Sequence, residues 1–168
     1  MRKNSGLNAQ EKMKGLAVGL AATLTTGASG AYATPLVKMS PGAVCSSDMS
    51  TTTDYRAGRM NSSASNIDMV CPLLRDRFGV PIEVGIGALD QNISQDVCCS
   101  SRSANTSGGS FRFTATKCST GTHTTSQVLF FDGPDLVYGW DYRWLQCSVP
   151  AVDSGRQSGI TGLWLVEY

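Results

Sequence analysis

His123 is the only histidine in this 168-residue chain, so any Ser–His or Cys–His device must use it as the base. It lies in Gly121-Thr-His-Thr-Thr125, a Thr-rich stretch with no Gly-x-Ser-x-Gly motif to supply a nucleophile. A solvated loop side chain is the simpler reading. A pair of carboxylates could cleave a glycosidic bond, and Glu83, Asp132, Asp135, Asp141 and Glu167 are the candidates, but nothing in their spacing singles out a pair. Asp132-Gly-Pro-Asp135 reads as a turn, because Asp and Gly suit turns and Pro presets φ. A calcium loop there needs more oxygen ligands than the stretch supplies. Ser107-Gly-Gly109 reads as a hairpin tip rather than a phosphate cradle. Zinc is disfavoured by the absence of a Cys-x-x-Cys pair and by the single histidine. The expectation is a protein that is not an enzyme, with no catalytic residue, no metal and no cofactor.

Binding chemistry has a better candidate. In Tyr138-Gly-Trp-Asp-Tyr-Arg-Trp-Leu-Gln-Cys147, Tyr138, Trp140, Tyr142 and Trp144 alternate with Gly139, Asp141, Arg143 and Leu145. A strand sends alternate side chains to opposite faces, so the four rings share one face. Two readings stand. Rings at ~6.6–7 Å intervals make an apolar strip with polar tips, suited to sugar rings or a partner protein. If Cys147 is buried in a disulfide, its face points inward and the rings point out. Against this, four large aromatics are much of a small domain's apolar content, and Asp141 and Arg143 suit water better than a core. That balance favours the core reading.

The elements that position these residues begin after a leader. Arg2, Lys3, Lys12 and Lys14 precede an uncharged apolar or small run, Leu16 to Thr26, and Ala31-Tyr32-Ala33 matches an A-x-A cleavage site. That order predicts a secretory signal peptide over 1–33 and one domain over 34–168. The apolar run is shorter than the ~20 residues a membrane span needs, and no transmembrane segment is expected after cleavage. Without 1–33, the chain of 14 basic and 13 acidic residues loses those four cations and Glu11 and becomes slightly negative. No basic patch remains, which argues against nucleic acid.

Short strand-like runs recur with turn signals between them, and no 3.6-residue period appears outside the leader. Val80 to Leu89 is the clearest strand; Gly85 and Gly87 leave one of its faces bare for a close approach. Asn66 to Cys71, Val128 to Phe131 and Ile160 to Tyr168 are further strands, and Cys45 to Tyr55 reads as one. Residues 34–44 read as a lead-in. Ser94 to Arg102 and Ser110 to Cys118 read as a hairpin about 103–109, with Phe111 and Phe113 on the face opposite Thr114, Thr116 and Cys118. The fold class expected is all-β: an antiparallel β-sandwich, jelly-roll or Ig-like, of about seven to eight strands.

Cys71-Pro-Leu-Leu-Arg-Asp76, Asp96-Val-Cys-Cys-Ser-Ser-Arg102, Gln146-Cys-Ser-Val-Pro150 and the closing Leu165-Val-Glu-Tyr168 together resemble a group of small secreted bacterial proteins without assigned function. That group shows a first cysteine, a Cys-Pro-x-x-Arg-Asp segment, a mid-chain cysteine, a Cys-Ser-x-Pro segment and a closing Glu. The resemblance implies a secreted, disulfide-linked β domain and brings no activity. This chain departs from the pattern by an extra cysteine pair, taken as Cys98 and Cys118. It also makes glycosylation of the sequons at Asn61, Asn92 and Asn105 unexpected.

Six cysteines in an exported chain read as three disulfides. Strand parity puts Cys98 and Cys118 on the same polar face, about equally far from Gly108, and so pairs them. Three pairings remain among Cys45, Cys71, Cys99 and Cys147. Symmetry about Gly58 ranks Cys45–Cys71 with Cys99–Cys147 first, and the other two stay open. The location expected is secreted, periplasmic or cell-surface. The function expected is a non-catalytic binding module for a glycan or surface polymer. A structural or protein-interaction component of the envelope is the alternative, and a small hydrolase is less favoured.

Overall fold

The computed structural model describes residues 34–47, 52–76, 82–105, 107, 111–136 and 142–168. The leader expected over 1–33 lies outside them, as do Tyr138, Trp140 and Asp141. Among the described residues there are eleven strands. They are β1 (Leu36–Pro41), β2 (Ser46–Ser47), β3 (Thr52–Tyr55), β4 (Gly58–Asn61), β5 (Ile67–Pro72), β6 (Ile82–Leu89), β7 (Cys98–Ala104), β8 (Phe111–Cys118), β9 (Gln127–Phe131), β10 (Tyr142–Val149) and β11 (Gly159–Glu167). One sheet has the order β3-β4-β11-β6-β9, with β1 also on β11. The other has the order β2-β5-β10-β7-β8. All pairings are antiparallel. Only β3–β4 and β7–β8 are hairpins within one sheet; from β4 to β7, and again from β8 to β11, every connection changes sheet. That alternation is the jelly-roll manner of building a sandwich.

The excess over seven or eight strands has identifiable sources. Residues 36–41 form β1 rather than a lead-in, Cys45 to Tyr55 supplies two short strands, β2 and β3, in different sheets, and Gly58–Asn61, whose Gly and polar residues read as turn and loop, forms β4.

Alternation builds the core. β5 buries Ile67, Met69 and Cys71 and exposes Asp68, Val70 and Pro72. β10 buries Leu145, Cys147 and Val149. Across from them lie Ile82, Val84, Ile86 and Ala88 of β6, Ile160, Leu163 and Leu165 of β11, and Leu129 and Phe131 of β9. Sheet-on-sheet burial of such side chains stabilises by about 1.5–3 kcal/mol each. The bare face of β6 is filled by the chain itself: a Cβ on Gly85 would stand 1.9 Å from Trp164 Cε2, so the indole lies directly on the Gly85 backbone.

Three disulfides join Cys45–Cys71, Cys98–Cys118 and Cys99–Cys147. This is the pairing ranked first from sequence, but the hairpin argument for Cys45–Cys71 does not hold. The turn before Gly58 belongs to β3–β4, whereas Cys45 precedes β2, which pairs with β5 in the other sheet. Cys98 and Cys99 are neighbours on β7 and face opposite sides, Cys98 opposing Cys118 and Cys99 opposing Cys147.

The β3–β4 turn is strained. Arg56 and Ala57 have φ of 48° and 66°, the left-handed values a tight two-residue hairpin demands and for which Asn-Gly is the favoured pair. An L-residue there costs roughly 1–2 kcal/mol. Ala57→Gly is therefore expected to raise stability by about 1 kcal/mol, read as a higher urea midpoint at unchanged slope.

Candidate functional site: an outward aromatic face

β10 lies at the centre of its sheet, between β5 and β7. Its inward residues are Arg143, Leu145, Cys147 and Val149, and its outward residues are Tyr142, Trp144, Gln146 and Ser148. The core reading of the aromatics is corrected here for the two that are described. Tyr142 is 61% exposed, Trp144 is half-buried, and the buried member is Arg143, at 6% exposure. The argument that Arg143 belongs in water fails because parity with Cys147 outranks side-chain polarity.

Residues opposed across an antiparallel pair share a face, so the ladder registers map the surface. One row runs Pro72 of β5, Trp144 of β10, Arg102 of β7 and Phe113 of β8. The next holds Tyr142, Ala104 and Phe111. On the other side lie Val70, Gln146, Ser100 and Thr116. Neighbouring strands stand ~4.8 Å apart, so Phe111, Phe113, Tyr142, Trp144 and Arg102 make one continuous patch. Phe111 is 72% and Phe113 57% exposed. The Phe111 and Trp144 rings meet edge-on, with centroids 6.2 Å apart and planes at 84°. The Arg102 guanidinium carbon stands 5.3 Å from the Phe113 ring centre. Ala104, small and buried, leaves a dip between Tyr142 and Phe111. Beyond the rings, Gln146 donates its amide to Asp68 at 3.1 Å, so polar groups border the patch.

Sequence reasoning missed Phe111, Phe113 and Arg102. Simple parity put the two phenylalanines on the face opposite Cys118. The ladder between β7 and β8 shifts between Ser100 and Arg102, where Thr114 and Ala115 stand against Ser101. This bulge turns the first half of β8 over, so that Phe111 and Phe113 join Thr116 and Cys118 on the outer side. Nothing in Thr114-Ala115 announces it; Phe-x-Phe spacing was the available signal.

Of the candidate catalytic groups, Asp141 lies outside the described residues, and Glu167, Asp135 and Glu83 are each engaged by a partner that is not another candidate. Glu167 is fully buried 3.6 Å from Arg75 Nε, and accepts the Asp76 backbone N–H at 3.2 Å. Asp135 pairs with Lys117 at 2.9 Å. Glu83 is hydrogen-bonded to the Tyr168 hydroxyl; that bond first, then desolvation and the carboxylate's charge, pushes the phenol above its ordinary pKa. Asp132 is exposed. His123 is exposed, and its Nε2 meets the Thr120 carbonyl at 2.9 Å. A buried polar group at the loop end, Asp90, is structural. It accepts from the Ser119 hydroxyl at 2.5 Å, the Asn92 backbone N–H at 3.1 Å and the Ser158 hydroxyl at 3.3 Å. Two of the sequon asparagines, Asn61 and Asn92, are buried, and their amides donate to backbone carbonyls. Among the described residues no cluster of His, Cys, Asp or Glu could hold a metal ion, and no helix is long and apolar enough to cross a membrane.

No family model and no curated protein matches the chain. Solved structures that it resembles include the CBM36-1 domain of a multidomain xylanase from the hindgut metagenome of Trinervitermes trinervoides, at 9% identity, over 77% of this chain and 96% of that one, with a TM-score of 0.48. A carbohydrate binding module of family 29 matches at 8% identity, over 78% and 89%, with a TM-score of 0.38. A structure of infectious bursal disease virus, Gt strain, matches at 10% identity, over 80% of this chain and 32% of that one, with a TM-score of 0.39. None carries a ligand across to this chain.

Proposed function

We propose that this protein is a non-catalytic binding module of the cell envelope or exterior, and that it takes a carbohydrate or surface polymer on the aromatic face of β7, β8 and β10. The observation that carries the reading is that Phe111, Phe113 and Tyr142 are exposed beside Trp144 on one sheet face. Exposing that much ring surface forgoes burial energy, and contiguous exposed apolar patches mark interaction sites. Rings with polar neighbours such as Gln146 suit a ligand that is apolar on its flat side and hydroxylated at its rim. Three disulfides support an oxidising location.

Screening the purified protein on glycan and envelope-polymer arrays tests the reading. Tyr142→Ala and Trp144→Ala are expected to lower binding at least tenfold while changing stability by no more than about 1 kcal/mol, as for other surface truncations. Unfolding by Tyr142→Ala, or unaltered binding in both variants, sinks it.

The outer face of the other sheet favours a second reading, as an interaction component of the envelope. Val37, Met39, Val128 and Phe130 are exposed there around Trp164. That surface is chiefly aliphatic, which suits a protein partner better than a sugar.

A further inference from the structure

Arg102 stands apart from several other cations of the domain. Lys38, Arg59, Arg75 and Lys117 each hold a carboxylate. Arg102 makes no ion pair or hydrogen bond among the described residues, and its Nε is buried without a partner. Its one specific contact is the Phe113 ring. It lies in the middle of the aromatic row, between Trp144 and Phe113. Among the described residues the acid on this face is Asp68, which is opposite Ser148, four residues beyond Trp144 on β10, and is engaged by Gln146.

A guanidinium stacked on a ring keeps its donor edge free in the plane, and that fork matches a carboxylate with two parallel hydrogen bonds. Partial burial raises the value of such a bond, because the cation has already lost part of its water. A neutral polysaccharide would leave this charge without a counter-charge.

We propose that the ligand is an acidic glycan: sugar rings stack on Trp144, Tyr142 and Phe111, and a sugar carboxylate pairs with Arg102. This rests on the binding-module reading above and adds the charge of the ligand to it.

The test uses a panel of uronic acid oligomers of different linkages, each paired with its methyl ester, which keeps the rings and removes the charge. Titration calorimetry is expected to show at least one acid bound tenfold or more tighter than its ester, with the gap narrowing as salt rises. Arg102→Gln should abolish the gap, bringing acid and ester to the same affinity, and Arg102→Lys should restore part of it. A melting curve for each variant shows that it is folded. Equal binding of acid and ester, or a gap that survives Arg102→Gln, overturns the proposal. If neutral glycans bind in a Trp144-dependent way while no acid is preferred, the acidic ligand is wrong and the binding module stands. If no glycan of either kind binds, both fall.

Discussion

Glu167→Ala is expected to destabilise the protein by ~3–5 kcal/mol. Glu167 is fully buried at the end of β11, and its partner Arg75 is nearly so, with a side chain 4% exposed. Removing the carboxylate leaves the guanidinium without its counter-charge in a region that water does not reach. It also removes the acceptor of the Asp76 backbone N–H, which has both carboxylate oxygens at 3.2 Å. An unsatisfied buried donor adds about 1–3 kcal/mol of its own, part of which the range above already contains. Replacing both partners with apolar residues, Arg75→Met with Glu167→Leu, is expected to recover most of the loss, because the desolvation cost of two buried charges disappears with them. Urea unfolding measures both. A loss below about 1 kcal/mol for Glu167→Ala would show that the pair is not what holds the 72–76 segment to β11.

Replacing Cys99 and Cys147 together with Ala is expected to cost about 4 kcal/mol, against about 3 for the Cys98 and Cys118 pair. The sequence separations are 48 and 20, and the longer closed loop constrains the unfolded chain more. Packing pushes the same way. Cys99 and Cys147 are completely buried between the sheets, so their loss also leaves space beside Leu145 and Val149, whereas Cys118 is exposed. Thermal unfolding of the two double variants gives the order directly. Equal losses would mean that the loop-entropy argument does not govern this domain.

The parts of the fold legible in the sequence were those where one face is apolar and the other is not. Ile67-Asp-Met-Val-Cys71 reads as a half-buried strand and is one. β6 reads from Val84, Ile86 and Ala88. The hidden parts have physical reasons. Leu36–Pro41 carries Leu36, Lys38 and Ser40 on one face and Val37, Met39 and Pro41 on the other, so neither face stands out as apolar. Cys45 to Tyr55 looks continuous, yet two strands in different sheets come from it. The site was half legible: parity located Tyr142 and Trp144 together, and the preference for burying aromatics then argued the wrong way. The β8 half depended on a bulge at Thr114 and Ala115, and a bulge is a property of pairing with β7, not of either strand alone. Arg102 was hidden for the same reason, since its neighbours come from β8 and β10.

The adjacency of Cys98 and Cys99 has a consequence for oxidation. A chain with six thiols can close the wrong bridges first, and the nearest error exchanges the partners of these two neighbours. Cys98–Cys147 with Cys99–Cys118 requires β7 to turn over, because a one-residue slip moves every side chain to the opposite side. Arg102 would then point inward, and Ser101 and Ser103, buried in the native strand, would face water. The two bridges and the facing of β7 are thus one choice: exchanging the partners of Cys98 and Cys99 means reversing every side chain along the strand.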